Sequence, residues 1–266
     1  MSNLLEVKNL SKQYKVKTGW FKRDKKTVLE PLSFSLDSNE TLAIAGEIGS
    51  GKSTLAKLLV GAARPTTGDI FLNGQLLETG NFKQRCQHVR MIFQNAGSTL
   101  NPSLTIRQQL EEPLKLNTKW DEAERLEVIS STLEKVGLLA DHMHFYPHMF
   151  SGGQKQRISL ARAIILQPQV VILDEALTAL DLSLRAQLIN LLLELQQAMG
   201  LTYILISHDL DVIQHFSDKI MILRKGKVVE YGTTAEVLAN PKNSFTRNLM
   251  QAQRKGPSKK SKKHSH

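Results

Sequence analysis

Hydrophobic and polar positions follow two different periods along this chain. Residues 4–10 and 31–36 alternate between apolar and polar side chains, which is typical of half-buried strands. Residues 41–45, 170–173 and 203–206 are continuous apolar runs, the pattern of parallel strands that are buried on both faces. Helical patterns separate these runs, so the sequence predicts an α/β fold around a mostly parallel sheet.

The remaining elements follow from the same patterns and from turn residues. Asn73 and Gly74 come directly after the predicted strand 69–72 and predict a hairpin with a type I′ turn. The polar and basic stretch 15–27 is interpreted as a long hairpin or loop. Further strands are expected at 89–93, 220–223 and 227–231, and helices at 52–60, 158–166, 184–199 and 210–216.

A long segment in the middle of the chain changes to helical spacing. Apolar residues share one helix face at 106, 110 and 114, and another at 126, 129, 133 and 136. We therefore expect a helical subdomain of about residues 100–167, inserted into an α/β domain of residues 1–250. The lysine-rich end, residues 251–266, is expected to be a disordered basic tail.

Composition narrows the function classes. The chain of 266 residues has no apolar run of the roughly 18–20 residues that span a bilayer, and its N-terminal sequence lacks the pattern of a secretory signal. A single cysteine, Cys86, excludes an internal disulfide and any metal site built from several cysteines of this chain. We therefore expect a soluble cytosolic protein, with metals brought only by a ligand.

The net charge of +10 is unevenly distributed. Residues 8–26 contain eight basic residues and one acidic residue, and residues 254–266 contain six basic residues and none that is acidic. The rest of the chain is slightly acidic. This distribution favours solvated basic segments over a nucleic-acid groove, with a patch facing anionic lipid headgroups as the alternative.

Residues Gly46–Ser53 match the phosphate-binding pattern G-x-x-x-x-G-K-[ST]. The match lies between a predicted strand and a predicted helix, which is the context that this loop requires. Its glycines let successive backbone N–H groups point at phosphate oxygens, and the helix adds its positive end. Lys52 would reach the β- and γ-phosphates, and the Ser53 hydroxyl would bind Mg²⁺.

Two further motifs suit phosphate chemistry. Asp174 and Glu175 follow the buried strand 170–173; the first carboxylate would hold Mg²⁺ and the second would act as a general base on water. Alone, such a pair is more often a solvated strand end. Ser151 and the glycines after it precede a helix and form a second N-terminus able to bind an anion.

In this order, the motifs resemble the ATP-binding subunit of ABC (ATP-binding cassette) transporters over residues 4–250, including its P-loop NTPase fold, an N-terminal antiparallel β part and a helical insertion. The resemblance assigns a family motif to each of these segments. They are the adenine-stacking aromatic (Tyr14), the P-loop (Gly46–Ser53), the Q-loop glutamine (Gln94), the signature motif (Phe150–Gln154), the Walker B pair (Asp174 and Glu175), the D-loop (Ala179–Asp181) and the switch histidine (His208).

The resemblance also implies the role of each residue. ATP would be bound by Tyr14, Gly46, Glu47, Ile48, Gly49, Ser50, Gly51, Lys52, Ser53, Thr54 and Gln94. Mg²⁺ would be held by Ser53, Gln94 and Asp174, and catalysis would use Lys52, Glu175 and His208. A partner's ATP would meet the signature residues Ser151, Gly152, Gly153 and Gln154, with Asp181 in the D-loop beside them.

The partners implied by the resemblance are two transmembrane permease subunits, a second ATPase subunit and, indirectly, a periplasmic peptide-binding protein. The second ATPase is expected to be a relative in a heterodimer, with a homodimer as the alternative. Nucleic acid is not expected as a partner. The chain would lie peripherally on the cytoplasmic face of the inner membrane.

Finer matches point to peptide importers. The segment 94–102 is similar to the corresponding segment of oligopeptide, dipeptide and nickel importer ATPases, and 241–249 is similar to their C-terminal region. Residues 17–23 resemble the F-type ATPase subunit of Sap peptide importers, which are associated with antimicrobial peptides. Departures from the family pattern are Ile48 in the P-loop, Phe150 in the signature motif, Thr178 before the D-loop and residues 95–97 after the glutamine.

Three alternatives stay open at this point. The chain could energise a nickel or dipeptide importer instead. It could be a soluble ABC ATPase acting on ribosomes or nucleic acid, although such proteins usually carry two cassettes in one chain or long inserts. It could also bind ATP without hydrolysing it; the motifs for hydrolysis are intact, but the departures at Ile48, Phe150 and Thr178 keep this alternative open.

Overall fold

The computed structural model describes residues 3–17, 23–94, 99–178 and 180–254. The expectations about the tip of the basic hairpin, the residues after Gln94, Ala179 and the tail beyond residue 254 fall outside these residues.

The described chain begins with three strands, carries three successive α-helices in its middle and ends with two helices. The strands are β1 (Leu5–Lys17), β2 (Arg23–Leu36), β3 (Thr41–Gly46), β4 (Thr67–Leu72), β5 (Gln75–Leu76), β6 (Val89–Ile92), β7 (Val170–Asp174), β8 (Thr202–Ile206), β9 (Lys219–Arg224) and β10 (Lys227–Thr233). The helices are α1 (Lys52–Leu59), α2 (Phe82–His88), α3 (Ile106–Asn117), α4 (Glu122–Lys135), α5 (Gly152–Ile164), α6 (Leu182–Met199), α7 (Leu210–Phe216), α8 (Thr234–Ala239) and α9 (Ser244–Arg254). None of the described helices is long and apolar enough to cross a membrane.

A six-stranded sheet forms the centre of the molecule, in the order β10-β9-β3-β8-β7-β6. Its strands pair in parallel, except that β10 runs antiparallel to β9. This arrangement confirms the predicted α/β fold with a mostly parallel sheet.

A second, antiparallel sheet has the order β2-β1-β4-β5 and contains the N-terminal strands. Its β4–β5 turn holds Asn73 at φ 49° and Gly74 at φ 74°, and two successive positive φ angles are what a type I′ turn requires. The predicted N-terminal antiparallel part and this hairpin are both confirmed.

Each central strand separates two apolar cores. Leu42 and Ile44 of β3 pack with the antiparallel sheet and α1, whereas Ala43 and Ala45 pack with the helices on the other face. The strands β7 and β8 divide their side chains in the same way. A strand with a core on both sides has no polar face, which is why these segments read as continuous apolar runs.

The helices α3, α4 and α5 lie in the chain between β6 and β7, which are parallel neighbours in the sheet. The predicted helix N-terminus at Ser151 is confirmed, since Ser151 caps α5. The predicted start of the helix at residue 158 was wrong, because the helix begins at Gly152. Its first turn is polar and not fully buried, so the apolar periodicity begins only at Ile158. The helices α2, α8 and α9 were not predicted.

An acidic residue joins α3 to α4 beneath the surface. The Glu111 side chain is 7% exposed and lies 3.0 Å from Lys115 Nζ and 2.9 Å from Arg125 Nε. Burial by itself would raise the pKa of Glu111, but the hydrogen bonds and charges of Lys115 and Arg125 together hold it below its ordinary value.

Replacing Glu111 with Gln is expected to lower the free energy of unfolding by about 2 kcal/mol at pH 7, because two charge-assisted hydrogen bonds are lost. The folded-state pKa lies below the ordinary value of 4.5, so this contribution is complete above that pH and disappears as the pH falls through the folded-state pKa. Denaturant unfolding of both proteins between pH 3 and pH 7 measures the difference.

The matched control is Glu122→Gln, since Glu122 is an exposed acid that pairs with Arg107 in the same region. Its effect should stay within about 0.5 kcal/mol. Equal losses for the two variants would contradict the role given to Glu111.

Candidate functional site

The P-loop, the Asp174–Glu175 pair and His208 lie at one edge of the parallel sheet. Strand β3 runs into the P-loop at Gly46, β7 ends at Asp174, and β8 ends at Ile206, two residues before His208. The register aligns Asp174 with Ile206 and Gly46 with Leu223. In open parallel sheets, ligands bind beyond the carboxyl ends of the strands, and these residues occupy that position.

The P-loop is held against the turn between β9 and β10. Gly46 has a φ of 148°, and a Cβ atom on it would lie 2.1 Å from the Leu223 carbonyl oxygen. The Gly226 N–H donates a hydrogen bond of 2.9 Å to the Ser50 carbonyl, and the Glu30 N–H donates one of 2.8 Å to the Gly226 carbonyl. The backbone of the loop is therefore braced from β2 and from the β9–β10 turn.

The side chain of Lys52 turns back into the loop. Its Nζ donates hydrogen bonds to the carbonyl oxygens of Gly46 at 2.8 Å and Glu47 at 2.9 Å. Burial lowers the pKa of Lys52, and the charges of Glu175 and Asp174 oppose that shift. An ammonium group held here, at the N-terminal end of α1, favours a bound anion.

Other P-loop residues differ in burial. The Ile48 side chain is fully exposed, so this departure from the family pattern leaves the packing of the loop unchanged. Ser50 is buried, while Ser53 is exposed and Thr54 is half-buried at the start of α1.

The Ser53 hydroxyl neighbours the Asp174 carboxylate and acts to lower its pKa. Burial is the main reason why the pKa of Asp174 nevertheless lies above its ordinary value, and the Glu175 charge adds to the shift, against the effects of the Ser53 hydroxyl and the Lys52 charge. A neighbouring hydroxyl and carboxylate are the hard oxygen ligands that Mg²⁺ prefers, so the pair fits this ion. Gln94 is exposed beyond the end of β6, the neighbour of β7.

Glu175 and His208 face each other across the edge of the sheet. Their side chains are 29% and 59% exposed, and His208 Nδ1 lies 3.7 Å from Glu175 Oε1. Glu175 has a φ of 50°, which is uncommon for a residue with a side chain. Its N–H donates a 3.0 Å hydrogen bond to the Ile206 carbonyl, which fixes this turn against β8.

Tyr14 lies on β1 with about two-fifths of its surface exposed. The Nζ atom of Lys12 sits 4.8 Å from the centroid of its ring. An exposed aromatic ring beside a cation is suited to stacking against a planar base.

The predicted signature residues are positioned by a capping box. The Gln154 N–H donates to Ser151 Oγ at 3.3 Å, and the Ser151 N–H donates to Gln154 Oε1 at 3.0 Å. Gly152 faces open space. In the part of the chain that the structure describes, these bonds stay within the cap of α5, so the structure does not bring the signature residues into hydrogen-bond contact with the P-loop of the same chain.

Asp181 caps α6 by accepting a 3.0 Å hydrogen bond from the Leu184 N–H. The signature helix α5 is tied to the segment after Glu175, because Gln156 Nε2 donates to the Ala176 carbonyl at 2.9 Å.

Sequence reasoning missed two supports of this site. Gly226 was not among the predicted site residues, although its backbone braces the P-loop. Arg185 pairs with Asp209 directly after His208, at a separation of 24 residues. No local pattern links residues so far apart, and only the fold brings them together.

A family model described as "ABC transporter" matches residues 29–178, more than half of the chain. The chain belongs to the ABC transporter family. This assignment confirms the predicted resemblance and makes the chain an ABC ATPase, with ATP as its nucleotide.

Similar proteins cover nearly the whole chain. The peptide transport system ATP-binding protein SapF of Salmonella typhimurium is 49% identical over 250 residues, which are 94% of this chain and 93% of that protein. The SapF protein of Escherichia coli K12, described as the ATP-binding protein of a putrescine export system, is 48% identical over 250 residues, which are again 94% of this chain and 93% of that protein.

Solved structures of ABC ATPases share the fold at lower identity. CbiO1 of Clostridium perfringens, part of the transporter complex cbiONQ, superposes with a TM-score of 0.77 at 26% identity, covering 90% of this chain and 92% of that one. The cassette MJ0796 was solved as a dimer in a post-hydrolysis state bound to ADP and Pi. It has a TM-score of 0.74 at 26% identity, and the match covers 86% of this chain and 98% of that one.

The close approach at Gly46 gives a prediction for the P-loop of this ABC ATPase. Gly46→Ala should lower the free energy of unfolding by roughly 3 kcal/mol or more, because its Cβ atom would meet the Leu223 carbonyl oxygen in addition to the strained backbone. Thermal or denaturant unfolding measures this loss.

Gly49→Ala is the matched control, since Gly49 also has a positive φ of 78° but has nothing within 4 Å of the added atom. Only the backbone strain of about 1–2 kcal/mol is expected there. The account of Gly46 fails if the two variants are equally stable.

Proposed function

We propose that this ABC ATPase hydrolyses ATP to energise a Sap-type peptide importer, at the cytoplasmic face of the inner membrane. The observation that carries the hydrolytic part is the meeting of Lys52, the Ser53–Asp174 pair and the Glu175–His208 pair at one sheet edge. The transport part is supported by 49% identity to a peptide transport ATPase over 94% of the chain.

The P-loop residues are proposed to bind the phosphates of ATP through backbone N–H groups, and Tyr14 to stack on the adenine. In this assignment, Lys52 exchanges the carbonyl oxygens of Gly46 and Glu47 for the β- and γ-phosphate oxygens. The phosphate set is Gly46, Glu47, Ile48, Gly49, Ser50, Gly51, Lys52, Ser53 and Thr54.

Mg²⁺ is proposed to be held by Ser53 and Asp174, with Gln94 as a further oxygen ligand. The ion would neutralise phosphate charge when it is bound. The proximity of the Ser53 hydroxyl to the Asp174 carboxylate, whose pKa it lowers, supports this assignment.

Glu175 is proposed to position the attacking water. The water oxygen bonds to the γ-phosphorus, the bond from that phosphorus to the bridging oxygen of ADP breaks, and the proton of the water passes to the Glu175 carboxylate. His208, 3.7 Å from Glu175, would donate a hydrogen bond to the γ-phosphate, and Lys52 would stabilise the charge that the leaving ADP develops.

The signature residues are proposed to close over ATP held by a partner cassette. Ser151, Gly152, Gly153 and Gln154 open α5, and Asp181 opens α6. Each chain then has two phosphate-binding helix ends that serve two different nucleotides, which a head-to-tail dimer explains. The second cassette is proposed to be a related ATPase, with a second copy of this chain as the alternative.

Two permease subunits are proposed to dock at a groove beside Gln94. This groove has a volume of about 430 Å³ and lies between β6, α2 and α5. Phe82 and Phe93 line it and are more than half exposed, and Arg90 and Arg162 add positive charge. A periplasmic peptide-binding protein would act on the ATPase only through these permeases.

The proposed base gives a direct test. Glu175→Gln should bind ATP with nearly unchanged affinity but lose at least about a hundredfold in kcat, because the amide cannot accept the proton of the water. ATP binding and phosphate release by the purified chain, together with its membrane partners, measure the two effects.

Lys52→Ala is the contrasting variant and should lose ATP binding itself. Hydrolysis at the wild-type rate by Glu175→Gln would remove Glu175 from its role. Unchanged ATP binding by Lys52→Ala would count against the P-loop assignment.

Affinity purification from membranes of the native cell tests the transport role. The tagged chain should recover two multispanning permeases and a second ATPase, and Phe93→Asp should lose the permeases while still binding ATP. Tyr231→Asp, which changes a half-exposed aromatic on β10 outside the groove, is the control and should retain them.

Other recoveries would contradict this role. Ribosomal proteins or nucleic acid in place of permeases would favour a soluble ABC ATPase. Recovery of nickel-importer or dipeptide-importer permeases would correct the proposed substrate.

A further inference from the structure

The first turn of α6 reaches across to the loop that carries His208. Arg185 lies in this turn with its side chain 18% exposed, and its Nη1 atom forms an ion pair with Asp209 Oδ2. Its Nη2 atom donates a 3.2 Å hydrogen bond to the Leu180 carbonyl. The buried Nε atom makes no hydrogen bond within the described part of the chain.

Asp209 holds the backbone on the far side of His208. Its Oδ1 atom accepts hydrogen bonds from the N–H groups of Asp211 at 3.0 Å and Val212 at 3.2 Å, which caps α7. Its own N–H donates to the buried Ser207 Oγ at 3.0 Å. His208 therefore lies between two anchored residues while its imidazole remains exposed.

Glu175 is anchored from the opposite side. The N–H and Oγ1 of Thr178 donate to the Glu175 carbonyl at 3.2 Å and 2.7 Å. Leu180 follows two residues later. Arg185 therefore connects the segment after Glu175 with the residue after His208, and the two connected segments leave different strands of the sheet.

This connection is not needed to start α6, because Asp181 already caps that helix. A guanidinium that bridges a carboxylate and a carbonyl fixes their separation more strictly than a single flexible ammonium could. Since Arg185 is mostly buried, its pairing with Asp209 is also only weakly screened by solvent.

We propose that Arg185 is a positioning residue for ATP hydrolysis: its bridge from the Leu180 carbonyl to the Asp209 carboxylate sets the place of His208 relative to Glu175. The inference rests on the hydrolytic function proposed above. Arg185 touches neither nucleotide nor water in this role and acts through Asp209.

The kinetic test compares Arg185→Gln with the wild type in the complex recovered from membranes. kcat should fall about tenfold to a hundredfold, because a displaced catalytic group reduces the rate although substrate still binds. KM for ATP should stay within about twofold, since the P-loop is untouched. Arg185→Lys, which keeps the charge but not the fork, should recover part of kcat.

Asp209→Asn should reproduce the kcat loss of Arg185→Gln. If Arg185 acts through Asp209, the double variant loses no more than the worse single variant. The control is Arg247→Gln, which removes an arginine that also donates to two carbonyls but lies on α9, away from the site. It should retain wild-type kcat.

A second measurement does not depend on hydrolysis. In the isolated chain with ¹³C-labelled histidines, the His208 ring signal, assigned with His208→Gln, should shift in Arg185→Lys while the His88 signal stays in place. Arg247→Gln should shift neither.

The outcomes separate the two proposals. Wild-type kcat in Arg185→Gln, or an unmoved His208 signal in Arg185→Lys, would overturn the positioning role. A joint fall of kcat, ATP affinity and the midpoint temperature of unfolding in Arg185→Gln would also overturn it, because such a fall would show that Arg185 is a merely structural residue. A wild-type complex without hydrolysis would instead overturn the proposed function, and the histidine signals would still test the role of Arg185.

Discussion

The parallel register of the central sheet is the constraint on which the candidate nucleotide site depends. Parallel pairing of β3, β7, β8 and β9 places all their carboxyl ends at one edge. Lys52 and His208 are 156 positions apart in the chain, yet they contribute to the same site only because of this pairing. The two apolar cores hold the register, since slipping a strand by one residue would exchange the side chains that face each core.

Lys52 and Asp174 place opposite charges at this edge of the sheet. Burial shifts the pKa of Lys52 downward and that of Asp174 upward, so each group is destabilised in its charged form, and each is partly compensated by the other. Bound phosphates and a divalent cation would add charges of both signs, which fits a site whose own charges are only partly neutralised by neighbours. The two pKa shifts and the strained backbone of Glu175 are concentrated at the residues assigned to phosphate chemistry.

Elements and turns that depend on residues close together in the chain could be predicted from the sequence. The buried strands, the Asn73–Gly74 turn and the strand–loop–helix arrangement around Gly46–Ser53 are each encoded by neighbouring residues, and the fold confirmed them. The start of α5 was placed wrongly because its first turn is polar, and α2 was missed because its sequence, FKQRCQH, has no extended apolar face at helical spacing. The brace from Gly226 and the Arg185–Asp209 pair could not be predicted, because both join segments that only the tertiary structure brings together. The individual residue roles in ATP binding and hydrolysis stay predictions.

The brace from Gly226 to the P-loop has a consequence for the order in which the protein is made. The loop itself is complete once residue 53 has been synthesised, but its neighbours β8 and β9 and its brace arrive only between residues 202 and 226. At about 5–20 residues per second, synthesis from residue 53 to residue 226 takes roughly 10–35 s. A nascent chain therefore carries the P-loop sequence for most of its synthesis without the surroundings that shape it, and it acquires nucleotide affinity only when the ABC domain is almost finished.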